Sequence, residues 1–106
     1  MMQTFAIEEL IADNAQSDKR YAEFLRVPAM SAGIYVLPAQ STDLQKPHNQ
    51  DEVYYVVRGR ATFKSGETET QAVPGSLLYV PAHEDHRFFD IEEEIVLIVL
   101  FAPEEG

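Results

Sequence analysis

A chain of 106 residues with no cysteine and a formal charge of −10 has room for one folded domain, residues 1–106. That composition excludes disulfide staples, thiol nucleophiles and thiolate metal sites, so a metal here has only nitrogen and oxygen donors. Eighteen acidic against eight basic residues argue against nucleic-acid binding, whose affinity comes largely from Lys and Arg neutralising phosphates.

The chain opens without the positive stretch and apolar core of a secretory signal. Its longest apolar run, Ile95 to Ala102, is far shorter than a membrane span of about 20 residues. The expectation is a cytoplasmic protein with no membrane partner. One short helix is predicted over Phe5–Asn14, with Ile7, Leu10 and Ile11 on one face and Thr4 as the cap.

From about residue 20 to 103 the pattern is strands and turns. Tyr21–Val27 and Met30–Leu37 read as a strand pair around Pro28, and Val53–Arg58 as a strand stopped by Gly59. Ala61–Lys64 and Thr68–Val73 flank a Ser65-Gly66 hairpin turn. Gly75 opens Ser76–Val80, Pro81 ends it, and Arg87–Ile91 and Ile95–Phe101 complete the set. Short strands punctuated by Gly and Pro point to an antiparallel all-β sandwich or barrel. Val53–Val57 and Ile95–Phe101 are apolar at successive positions, so both faces of these strands need covering. The helix can cover part of the outer face, and a second subunit is expected to cover the rest, giving a homodimer.

All three histidines fall in two segments, 46–59 and 75–90. Strand alternation puts Lys46, His48, Glu52, Tyr54 and Val56 on one face, and His86, Phe88 and Asp90 on one face of the second segment. If both faces point into one barrel, two imidazoles and a carboxylate converge there, a donor set suited to divalent Fe, Mn, Ni or Zn. Asp51 and Glu52, being adjacent in a strand, point to opposite faces and are no acid–base pair.

These segments resemble the two motifs of the cupin superfamily. In the first, His48, Glu52 and Gly59 match the second histidine, the glutamate and the closing glycine. In the second, Gly75, Pro81 and His86 match the glycine, proline and histidine. The resemblance implies a double-stranded β-helix, a jelly-roll barrel of single-domain cupin type, with a metal held by three His and one Glu. Four positions depart from the motifs: Gln40 and His83 replace glycines, Lys46 replaces the first histidine, and Asp90 replaces an asparagine. Only His48, Glu52 and His86 therefore carry over as ligands.

Three readings of Lys46 stay open: it points to solvent beside a three-ligand metal, reaches inward as a cation for an acidic substrate, or pairs with Glu52 in place of any metal. His83 reads as a turn residue at the barrel mouth, with a fourth ligand or a general base as the alternatives. Asp90 either orients the ring of His86 or belongs to the acidic run Asp90–Glu94. Tyr54, Phe88 and Tyr35 are pocket candidates or plain core. The functional expectation is a metal-dependent enzyme on a small organic molecule, of dioxygenase, isomerase or lyase type. A non-catalytic binding or sensing module for a small ligand is the alternative.

Overall fold

The structure, a computed structural model, describes residues 1–105. A helix α1 (Ile7–Ala15) precedes six strands: β1 (Tyr21–Val27), β2 (Met30–Leu37), β3 (Asp51–Ser65), β4 (Thr68–Ala72), β5 (Leu77–Val80) and β6 (His86–Ala102). All pairings are antiparallel, in the order β1-β2-β6-β3-β4, with β5 on the other edge of β3. The architecture is the double-stranded β-helix barrel with one short helix. No helix among the described residues is long and apolar enough to cross a membrane.

The helix starts two residues later than its pattern suggests. Its cap is Ala6, with no side-chain hydrogen bond, so Thr4 does not serve. Glu8 and Glu9 in the first turn face the positive end of the helix dipole instead.

Two predicted breaks are absent. β3 runs through Gly59 and absorbs the expected strand 61–64, while β6 joins 87–91 to 95–101. The chain bends there rather than stopping. Gly59 has φ +97°, and a Cβ on it would sit 2.2 Å from the Glu94 carbonyl oxygen, so the two strands cross closely at this corner. Asp90 bends β6 with φ +47°. The pairing register slips between Val56 and Thr62 on β3, against Leu97 to Phe89 on β6.

Each bend switches the inward parity. On β3 the inner residues are Glu52, Tyr54 and Val56 before it and Ala61 and Phe63 after it. On β6 they are His86 and Phe88, then Ile91, Ile95, Leu97, Val99 and Phe101. These residues, with Tyr35, Leu37 and Val80, form the barrel core. A second cluster lies outside the barrel, where Ile11 and Leu10 of α1 pack on Ile34, Val36, Val96, Ile98 and Val57. Tyr55, Leu77, Tyr79 and Leu100 remain exposed on the outer face of β5-β3-β6.

Candidate metal centre and pocket

Glu52, the second residue of β3, sits between Val80 and Phe101 on its two neighbouring strands. His86 opens β6, opposite Ser65. Both face inward because they precede the parity switch, and both side chains are essentially inaccessible to water. His48 comes from the irregular segment before β3, held where the N–H of His83 donates to its carbonyl at 2.7 Å.

One donor atom from each of His48, Glu52 and His86 lies within 4.8 Å of the others. His86 Nε2 and Glu52 Oε1 approach to 3.2 Å, yet neither they nor Glu52 Oε2 have a hydrogen bond of proper geometry. The His86 Nδ1 side lies 2.9 Å from the Glu84 carbonyl, an acceptor, so Nδ1 carries the proton and Nε2 presents a lone pair in the neutral ring. Buried acceptors that face one another unpartnered are costly unless a cation lies among them. Two imidazoles and a carboxylate in this arrangement fit a divalent transition ion. Burial disfavours charge on His86, but Glu52, the Glu84 carbonyl and Asp43 outweigh it and raise its pKa.

The structure selects among the open readings of the outer candidates. Lys46 is exposed and makes no ion pair with Glu52, because residues 43–48 form irregular coil and strand alternation does not extend to them. His83 is exposed in a turn with φ +70° and contributes its backbone. Asp90 sits exposed on the β6 bend; the Glu84 carbonyl, not Asp90, faces the second nitrogen of His86. Asp51 points outward and accepts from the Ala82 N–H at 2.9 Å. Tyr54 is fully buried, and Phe88 packs edge-on against it at 5.1 Å, beneath the site.

Several residues gave no sequence signal. Asp43, buried in the coil, accepts from the hydroxyl of Tyr35 (2.8 Å), the N–H of Phe88 (2.9 Å), and the backbone (3.3 Å) and side chain (2.9 Å) of Gln45. Gln45 in turn accepts from the Tyr54 hydroxyl at 2.8 Å. After β6, Glu105 reaches back so that its Oε2 lies 2.9 Å from His48 Nδ1. Arg26 holds this segment through Glu104 at 3.2 Å and the Glu105 carbonyl, and the Glu105 N–H donates to Ser31 Oγ. A cavity of ≈ 190 Å³ opens beside the donor set, walled by Tyr21, Tyr35, Val99, Phe101 and Glu105. The Tyr21 hydroxyl is buried without a partner. Burial, then the charges of Glu105, Glu23 and Glu52, hold that phenol protonated well above its usual range.

An all-β barrel carrying a buried nitrogen–oxygen donor set beside a small cavity is the architecture on the page. The chain belongs to the cupin family: the family model described as Cupin domain matches residues 33–102. It is similar to an uncharacterized protein of Streptomyces coelicolor, SCO3923, at 48% identity over 105 residues, covering 99% of this chain and 100% of that one. Among solved structures it resembles TT1209 of Thermus thermophilus, with TM-score 0.76 and 24% identity over 97% of this chain and 99% of that chain. It also resembles the DMSP lyase DddQ of Ruegeria pomeroyi, with TM-score 0.70 and 20% identity over 78% of this chain and 47% of that one. KdgF from a Halomonas species aligns with TM-score 0.71 and 21% identity, over 78% and 76% of the two chains. What these solved structures share with the chain is the fold.

Proposed function

We propose that the barrel binds one divalent metal ion through His48, Glu52 and His86 and acts as a metal-dependent enzyme on a small organic molecule. The observation that carries this reading is the set of buried, unpartnered acceptor atoms on Glu52 and His86, close to His48, with Glu52 and His48 on the wall of a cavity. A bound ion would supply Lewis acidity or a site for oxygen, which accommodates dioxygenase, isomerase and lyase chemistry alike. The DMSP lyase DddQ shares the fold, so the barrel can host lyase chemistry.

The chain's own residues supply the rest. Tyr21, kept protonated, offers its O–H to an oxygen of the bound molecule. Val99 and Phe101 exclude water along the apolar wall, and the small cavity restricts the substrate to a compact molecule. Among the described residues Glu105 is the one carboxylate on the cavity wall outside the three-ligand set, and so the group placed to take a proton. A non-catalytic binding module is the second reading, favoured by the tyrosines: with Tyr21 and Tyr35 held as phenols, Glu105 stands alone as a base and is itself tied to His48. The exposed apolar face of Tyr55, Leu77, Tyr79 and Leu100 is proposed to pair with a second copy in a homodimer, and the cytoplasm is the proposed compartment.

Elemental analysis of protein purified without added metal tests the centre. One equivalent of metal, lost in both His48→Ala and His86→Ala, is expected. Absence of metal after supplementation with Fe, Mn, Ni and Zn refutes the reading. Oxygen uptake and product formation with small enols, diols and hydroxy acids separate the enzyme from the binding module.

A further inference from the structure

We infer that Gln45, rather than any residue at the motif position held by Lys46, supplies a fourth protein ligand to the metal through Oε1. The inference rests on the proposed metal centre and deepens it. Its basis is which atoms are donors and which are acceptors around His48.

The Gln45 amide has a fixed orientation. Its Nε2 donates to Asp43 Oδ2 at 2.9 Å, and its Oε1 accepts from the Tyr54 hydroxyl at 2.8 Å. Turning the amide over would set its carbonyl oxygen against the Asp43 carboxylate, acceptor against acceptor. Oε1 therefore faces the site, 3.5 Å from His48 Nε2.

His48 has a fixed tautomer for the same kind of reason. Its Nδ1 lies 2.9 Å from Glu105 Oε2, an acceptor, so Nδ1 carries the proton. In the neutral ring Nε2 then presents a lone pair to the lone pairs of Gln45 Oε1. A cation between them removes that conflict. Two ligands about 2.1 Å from one tetrahedral ion lie roughly 3.4 Å apart, so a 3.5 Å separation is that of neighbours on a common metal. The His86 Nε2 to Glu52 Oε1 distance of 3.2 Å belongs to the same range.

The centre is thus two imidazoles, a carboxylate and a neutral amide oxygen. The amide adds no charge, so the metal keeps a higher net positive charge than with a second carboxylate. The phenol of Tyr54 and the carboxylate of Asp43 hold the amide from both ends.

The test uses metal-free full-length protein titrated with Co(II) and with Zn(II) against a competing chelator, alongside the visible spectrum of the Co(II) form. Wild type and Gln45→Leu are each expected to bind one equivalent. Binding to Gln45→Leu should be weaker by about tenfold or more, with shifted Co(II) bands. Gln45→Glu, which restores an oxygen donor, should bind more tightly than Gln45→Leu, with an affinity and Co(II) bands that differ from those of wild type. Gln45→Leu with wild-type affinity and an unchanged Co(II) spectrum overturns the inference and leaves the three-ligand centre standing. If Gln45→Leu does not fold, as read by the metal-free thermal melt, Gln45→Glu decides alone: unchanged affinity and spectrum overturn the inference. A wild type that binds neither metal overturns both this inference and the proposed centre.

Discussion

Asp43 is a buried carboxylate with four donors and no ion pair, and its replacement by Asn gives a quantity that can be worked out. Asn is the same shape but has one acceptor oxygen where Asp has two. The Tyr35 hydroxyl can rotate and accept, so the least costly arrangement puts the new NH2 toward Tyr35 and keeps the oxygen on Phe88 N–H and Gln45 Nε2. The Gln45 backbone N–H, at 3.3 Å in the native protein, then loses its partner. That orphan costs about 1–3 kcal/mol, toward the low end because the residue is only half-buried. Three hydrogen bonds that were charge-assisted become neutral, at about 0.5–1 kcal/mol each. The expected total is about 3 kcal/mol. With an unfolding entropy near 2.1 cal/mol/K per residue, roughly 0.22 kcal/mol/K for this chain, Tm falls by about 13 °C. Asp43→Ala orphans all four donors and approaches the whole stability of a small domain, about 5–15 kcal/mol. Urea unfolding of metal-free protein measures both. A loss below about 0.5 kcal/mol for Asp43→Asn would refute the claim that this carboxylate organises the coil.

Gly33→Ala places a Cβ 2.3–2.4 Å from the ring end and hydroxyl of Tyr21, so the ring has to move. A cost of about 1–3 kcal/mol is expected, and it should largely vanish in a Tyr21→Ala background; an undiminished cost there would put the strain elsewhere. The phenols of Tyr21, Tyr35 and Tyr54 are all raised above 10.0, by burial first and by neighbouring carboxylates second. The folded state therefore keeps protons that the unfolded chain gives up, so this stability is complete below about pH 10 and is lost as pH rises beyond it. Ultraviolet titration should show these three ionising only with unfolding; their ionisation in the folded protein would contradict it. Glu105→Ala is expected to weaken metal binding by about tenfold, while Glu105→Gln, which can still accept from His48 Nδ1, retains it; equal binding by all three proteins in the chelator titration would exclude the carboxylate from positioning His48. Tyr79→Glu sets a charge in the exposed apolar face and should shift sedimentation from dimer to monomer; a monomeric wild type would refute the pairing.

The sequence alone indicated an antiparallel sandwich or barrel and two of its hairpins, and, with the resemblance to the cupin motifs, the three residues whose donor atoms meet. Those features rest on local pattern: alternation within a strand, glycine and proline at corners, and two histidine-bearing segments in order. It left alternatives open where alternation lapses. Lys46 shares parity with His48, but the coil before β3 has no strand period: of its three open readings solvent exposure is the one observed, and Gln45 faces the site. Asp90 could be read as the partner of His86 or as part of the acidic run, and the structure has the second: the bend that switches parity in β6 falls on Asp90 itself. Gly59 and the acidic run after Asp90 read as strand ends because a bend and a break carry the same residues. Tertiary structure decided what depends on distant groups meeting: Asp43 gathering donors from the coil, β2 and β6, Tyr21 fitted against Gly33, and Glu105 returning to His48 from more than fifty residues away in the chain. No local signal marks those residues, because each acquires its role only from the groups that the closed barrel sets beside it.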